Sequence, residues 1–286
     1  MVYFIAEVSS NHARNLDRCL QFVDTAAEIG CDAVKFQLFR IRELFSPEIL
    51  AKSAKHRARE AWELPESFLE PIASRCRDRR IEFVCTPFFL EAVELLRPYV
   101  HRYKVASYEL LWHELIRACT ATGKPLLLST GMATLDEIAA AVRAAREGGG
   151  GTADLTLLQC VSGYPTPAAE ANLAALETMR RTFGVSMGWS DHTVRPAVIQ
   201  RAVHRWDAAA VEFHLDLDGS GDEFVTGHCW LPEAAGAMIA GIREGLGADG
   251  TGVKLPMPAE LSDRDWRADP SDGLRPLKSL RTTWTS

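Results

Sequence analysis

A closed barrel of eight parallel strands, each followed by a helix, is the fold class the sequence predicts, on three observations. Eight short apolar or β-branched runs recur along the 286 residues, and stretches with helical period separate them. No glycine-rich GxGxxG follows the first run. Strands that are apolar on both faces and alternate with helices call for a parallel sheet, and eight such units suggest closure into a (β/α)8, or TIM, barrel. The missing glycine fingerprint argues against the alternative, a doubly wound dinucleotide-binding sheet.

In chain order the predicted strands are 2–8 (VYFIAEV), 32–39 (DAVKFQLF), 81–87 (IEFVCTP), 102–107 (RYKVAS), 125–130 (PLLLST), 155–162 (LTLLQCVS), 185–190 (VSMGWS) and 209–215 (AAVEFHL). Helices are predicted between them, for example over 16–30, 134–149 and 172–184, with alanine, leucine, arginine and glutamate bias and a glycine stop. Two regions break the rhythm. Residues 40–65 form a long charged connection, a lid or a solvated surface excursion, and the excursion is the reading adopted. Residues 1–246 are assigned to the barrel, and 247–286 to a Pro-, Asp-, Gly- and Arg-rich tail that is no separate domain.

A net charge of −6 gives no electrostatic footprint for nucleic acid or an anionic membrane, so small-molecule partners are expected. Seven dispersed cysteines without CxxC spacing read as reduced thiols of a cytoplasmic protein. The first residues have no basic segment, and Glu7 interrupts their apolar run, so neither a signal peptide nor a membrane span is expected there.

In a barrel the strand ends and the following loops converge on one face, where catalytic groups collect. The polar residues at those positions are Glu7, Lys35, Gln37, Thr86, Lys104, Ser107, Ser129, Thr130, Ser162, Ser190, Asp191, His192 and His214. Lys35 and Lys104 lie inside apolar runs, where an ammonium needs a partner. With the hydroxyls they suit an anion with several acceptor oxygens; a Schiff-base lysine is the alternative. His192 and His214, at ends of adjacent strands, can share one divalent ion, with Glu7 as a third or outer group. Mn2+, Fe2+, Co2+ and Zn2+ are all compatible with these donors. His228 is a further possible ligand, read here as a loop residue.

The stretches IAEVSSNH (5–12), DAVKFQLF (32–39), CTPF (85–88), YKVASYE (103–109), LLLSTGMATLDEI (126–138), LLQCVSGYPTP (157–167), GWSDHT (188–193) and VEFHLDLD (211–218) occur in the order of the sialic acid synthase family. The chain resembles these phosphoenolpyruvate (PEP)-dependent synthases of N-acetylneuraminate and related nonulosonates over roughly residues 3–245. The resemblance implies condensation of PEP with the open-chain aldehyde of an N-acylated amino sugar, in the cytoplasm, by a homodimer. It implies that Lys35, Thr86, Lys104, Ser107, Ser129, Ser162 and Ser190 hold PEP, and that His192 and His214 hold a metal, manganese by family habit with magnesium also possible. Gln37 and Tyr164 would face the sugar. Glu7, assisted by Glu109, would steer or deprotonate the water that adds at C2 before phosphate leaves by C–O cleavage.

The sequence departs from the family pattern at four places. Arg14 replaces a glycine, and Ser162 replaces an asparagine. Asp222 or Glu223 must stand in for a sugar-binding aspartate. The family's C-terminal antifreeze-like (SAF) domain, which lends an arginine to the partner's sugar site, has no counterpart. Two alternatives follow. A synthase of the keto-deoxy-octulosonate or heptulosonate phosphate kind would need a basic pocket, with Arg14, Arg40 or Arg42 as candidates; a catalytically silent sugar-binding barrel is the other.

Overall fold

The computed structural model describes residues 2–149, 151 and 155–285. Its strands are β1 (Tyr3–Glu7), β2 (Ala33–Leu38), β3 (Glu82–Pro87), β4 (Arg102–Val105), β5 (Leu126–Ser129), β6 (Leu155–Cys160), β7 (Ser186–Asp191), β8 (Ala210–Leu215) and β9 (Cys229–Trp230). The first eight pair in parallel in sequence order, and β1 pairs with β8, so the sheet closes into the predicted TIM barrel. The two-residue β9 was not anticipated; it adds to β8 with Cys229 beside His214.

The helices are α1 (Leu16–Glu28), α2 (Ile41–Leu44), α3 (Pro47–Lys52), α4 (Ala54–Ala58), α5 (Leu69–Arg79), α6 (Leu90–Leu96), α7 (His113–Ala121), α8 (Leu135–Glu147), α9 (Ala175–Phe183), α10 (Pro196–Trp206), α11 (Pro232–Ala248) and α12 (Lys278–Arg281). Their ends follow local chemistry. Asn15 caps α1 through the Arg18 amide, Thr134 and Glu137 form a capping box on α8, and Gly184 stops α9 at φ 63°.

Side chains on one face of a strand recur every second residue. Ile5, Ala33, Val84, Leu127, Leu158 and Ala210 form a dry plug inside the barrel. Gly188 belongs to the same level: a Cβ there would stand 2.5 Å from a Leu158 methyl and 2.6 Å from the Ala210 carbonyl. Two residues further along, the same inward face carries Glu7, Lys35, Thr86, Ser129, Cys160, Ser190 and Glu212. The alternation that builds the core therefore also aims the polar groups at the C-terminal mouth. At the opposite mouth, Glu82 accepts from the Tyr3 hydroxyl at 2.6 Å and from Arg102 Nε at 2.7 Å.

The connection after β2 is folded, which corrects the expectation of a solvated excursion. Its helices α2 to α4 lead to a 3-10 turn, Arg59–Trp62. Leu44, Phe45, Leu50 and Trp62 pack on a small core of Phe39, Ile41 and Phe88. The apolar residues responsible are spaced irregularly among charges, so no period reveals them. All seven cysteines are buried and unbridged.

Residues Met1–Glu244 form one compact unit and Gly245–Ser286 another. The second contains a 3-10 stretch, Pro258–Trp266, and α12, where the sequence had suggested no helical period. Arg281 pairs with Asp272, and Trp266 meets Trp284 edge-on at 6.3 Å. Among the described residues no helix is long and apolar enough to cross a membrane.

Candidate active site

Four buried charges alternate across the barrel mouth. Lys35 Nζ touches Glu7 Oε2 and lies 3.9 Å from Glu212 Oε1, while Lys104 Nζ holds both Glu212 oxygens at 2.7 Å. Ser190 Oγ donates to Glu212 at 3.2 Å, and Thr86 Oγ1 is 3.4 Å from Lys35. Each lysine thus has the partner that a buried ammonium needs, and in both cases it is a carboxylate. Burial alone would raise the Glu212 carboxyl, but Lys104 and Lys35 outweigh it and hold it low. Burial would lower Lys35, and Glu212 with Glu7 more than offsets this; for Lys104 burial prevails and the ammonium is easier to deprotonate.

Glu212 was missed. It sits in AVEFHL as Lys35 sits in AVKFQL, and a charge inside a two-faced apolar strand is the same signal.

Beside this ladder lies a cluster of hydroxyls. Ser129 Oγ and Ser162 Oγ are buried with no hydrogen-bond partner. Ser107 Oγ accepts from the Gly131 amide at 3.0 Å, and a Cβ on Gly131 would fall 2.5 Å from Ser162 Oγ and 2.7 Å from Ser107 Oγ. The glycine keeps open a space lined by donors, which is the form of an anion cradle. Thr130, at the end of β5, turns away: its hydroxyl donates to the Leu158 carbonyl at 3.0 Å. Glu109 has an unpartnered buried Oε2, and burial pushes its carboxyl up to about 7.

His192 and His214 converge, with ring centroids 5.2 Å apart. His192 Nδ1 lies 2.8 Å from the Val161 carbonyl, which can only accept, so that nitrogen carries the proton and Nε2 keeps its lone pair. His214 Nδ1 donates to Glu223 Oε2 at 2.9 Å; burial would lower this imidazole, but Glu223 outweighs it and raises it. His192 therefore presents Nε2 as a metal donor, and His214 does so once its second proton is displaced, with both rings oriented from behind. Burial, and then the neighbouring His214, lower His192 to about 3, the neutral state a ligand requires.

The other predicted residues divide. Tyr164 covers the histidines, its ring 4.2 Å from His192 and 6.2 Å from His214. Gln37 Nε2 donates to Glu7 Oε1 at 2.7 Å and to Ser9 Oγ at 3.1 Å. Glu223 is held against His214, whereas Asp222 is exposed and accepts from Trp62 Nε1 at 2.8 Å. Asp191 points outward and braces the turn, accepting from the indoles of Trp189 at 3.0 Å and Trp230 at 3.1 Å and from Thr193. Arg14 reaches the Glu60 carbonyl, and Arg40 is taken up by Glu43, Glu66 and Glu91, so neither opens a basic pocket.

A charge-neutral ladder, an anion cradle and paired imidazoles at one mouth suit metal-assisted chemistry on a small anionic substrate. An uncharacterised protein, MJ1065, from Methanocaldococcus jannaschii is 33% identical over 90% of this chain and 75% of its own. The N,N'-diacetyllegionaminic acid synthase of Legionella pneumophila is 31% identical over 92% of this chain and 77% of its own. The crystal structure of the N-acetylneuraminic acid synthetase of Leptospira borgpetersenii, in complex with citrate, superposes with a TM-score of 0.80 at 26% identity, over 95% of this chain and 93% of that one. Since the NeuB family model also matches residues 22–254, the chain belongs to the NeuB family, and it is a synthase.

Proposed function

We propose that this synthase condenses PEP with the open-chain aldehyde of an N-acylated amino sugar, giving a nonulosonic acid and phosphate. The observation that carries the reading is the pair of buried, unpartnered hydroxyls of Ser129 and Ser162 beside Gly131 and Ser107. Buried polar groups without partners are uncommon, and Ser162 stands with Ser107 around the space kept open at Gly131, two residues beyond Ser129, which would suit a multi-oxygen anion. In this reading Ser107, Ser129 and Ser162 hold the PEP phosphate. Lys104, Lys35, Thr86 and Ser190 face its carboxylate and C2. Glu212 is the carboxylate both ammonium groups share, so PEP would meet them already positioned.

A divalent ion on His192 and His214, manganese by the resemblance, would act as a Lewis acid on the acceptor aldehyde. C3 of PEP bonds to the aldehyde carbon, whose oxygen takes a proton. Water then adds at C2, and the C2–O bond to phosphate breaks to leave a ketone. Glu7, already bound to Lys35 and Gln37, would take the proton of that water, with Glu109 assisting in its ionised form. Tyr164 and Gln37 line the acceptor side. Of the three arginines that a phosphorylated acceptor would call on, Arg14 and Arg40 are already engaged, which leaves the exposed Arg42.

Inorganic phosphate released from PEP, measured with Mn2+ over a panel of N-acylated amino sugars and phosphorylated aldoses, tests the reading. Release with an N-acylated amino sugar alone is expected. Release only with a phosphorylated aldose, or with none of the panel, contradicts it.

A further inference from the structure

The reading above places an ion on two histidines; the third imidazole beside them has a role of its own. His228 is buried immediately ahead of β9, and the pairing of β9 with β8 lays it against His214, ring centroids 4.6 Å apart. Imidazole nitrogens about 2.1 Å from one ion place ring centroids about 4.5–5.5 Å apart. The His192–His214 and His214–His228 pairs are already at that spacing, at 5.2 and 4.6 Å, and His192–His228 stands at 6.1 Å. The rings meet at 60°, 69° and 83°, so none is stacked on another.

The hydrogen bonds fix the third tautomer as they fix the first two. Thr226 Oγ1 donates its one proton to the Glu223 carbonyl at 2.6 Å. The contact between Thr226 Oγ1 and His228 Nδ1 then requires the imidazole to donate. His228 Nε2 is left with a free lone pair, 3.6 Å from Glu223 Oε2. All three Nδ1 protons are bound from behind, by a carbonyl, a carboxylate and a hydroxyl, and all three Nε2 atoms are available to an ion. A histidine kept only for packing has no need of that arrangement.

Glu223 is held in the same network. Ser9 Oγ donates to its Oε1, and its amide donates to Asn11 Oδ1 at 3.0 Å, so the SSN stretch after β1 clamps it against His214. The donor atoms of His214, Glu223, His228 and Cys229 lie within 4.8 Å of one another, and His192 joins them only through its ring contacts with His214 and His228. Cys229 Sγ is engaged by Asn11 Nδ2 at 3.5 Å.

We propose that the metal centre of this chain is a three-histidine site, His192, His214 and His228, with Glu223 as the carboxylate that orients His214 rather than as a sugar ligand. This rests on the reading that a divalent ion binds here. The loop that would supply an acid to the acceptor thereby serves the ion, while its other acid, Asp222, is turned to Trp62. Acceptor recognition then falls to other side chains, Tyr164 and Gln37 first.

Cobalt substitution gives a readout independent of turnover. In the Co2+-loaded full chain, each ligating imidazole contributes one paramagnetically shifted, solvent-exchangeable Nδ1 proton to the 1H NMR spectrum. Three such resonances are expected in the wild type and two in His228→Gln, whose Co2+ affinity should fall by roughly 10–100-fold or more. Glu223→Gln should keep three resonances and lose roughly 10–100-fold in affinity as an outer partner. Two resonances in the wild type would overturn the three-histidine site while leaving the ion on His192 and His214. None at saturating cobalt would remove the ion itself and with it both readings. If His228→Gln does not fold, the wild-type count alone decides.

Discussion

Lys104 is held by both oxygens of Glu212 at 2.7 Å, so in the proposed reading an arriving PEP would share an ammonium already in place rather than recruit a mobile one. Lys104→Ala should weaken PEP binding by about 1.5–3 kcal/mol, the scale of a hydrogen bond to a charged group, and calorimetric titration with PEP would show it. Unchanged affinity would detach this lysine from the anion site. Glu109, with its carboxyl pushed up to about 7 by burial, should act ionised. Turnover should therefore fall as pH drops through about 7, and Glu109→Gln should abolish that limb along with part of the rate. Linkage adds a second sign: the native carboxyl binds its proton more tightly than the unfolded one. Its contribution to stability is complete below the unfolded pKa and is lost as pH rises through about 7. Denaturant titrations of Glu109→Gln at pH 5 and pH 8 should show that loss removed. Both lysines were legible because charges interrupt apolar runs. Glu212 carried the same signal but lay two residues before His214, inside the strand and outside the strand-end count. Asp222 and Glu223 could not be told apart because neighbouring loop residues have no period.

At the level of elements, β7 does two jobs. Its Gly188 lets β6 and β8 approach inside the barrel, and its last residue, Asp191, ties two indoles together behind His192. Gly188→Ala should cost about 1–3 kcal/mol by overpacking, read as a lower denaturation midpoint at unchanged m-value. Asp191→Ala should cost about 1–3 kcal/mol for each buried indole N–H left unpaired, and should weaken metal binding by letting the His192 turn relax. Stability unchanged in both variants would mean that β7 is not packed as described. The strands were readable to within a few residues because parallel-sheet burial leaves uninterrupted apolar runs. The folded connection of α2 to α4 was not, since Phe45, Leu50 and Trp62 reach the Phe39 cluster at irregular spacing. Asp191, expected at the mouth, could be seen as a brace only once alternation turned it outward and brought Trp230 beside it.

Across the barrel, one periodicity accounts for both core and site: the inward face that carries Ile5, Ala33 and Val84 carries Glu7, Lys35 and Thr86 one step further on. That regularity is why the closed barrel and most of its polar mouth could be read before any coordinates. The carboxylate pairings and β9 depend on long-range contacts and could not, and His228, a possible ligand by its sequence, reads as a loop residue for want of β9. Diffraction from crystals grown with PEP and manganese tests the central claim, that the C-terminal mouth is a PEP cradle next to an imidazole-bound ion. The account predicts PEP phosphate oxygens within hydrogen-bond distance of Ser129 Oγ and Ser162 Oγ, and an anomalous manganese peak between His192 and His214. PEP bound elsewhere, or manganese away from those imidazoles, would contradict it.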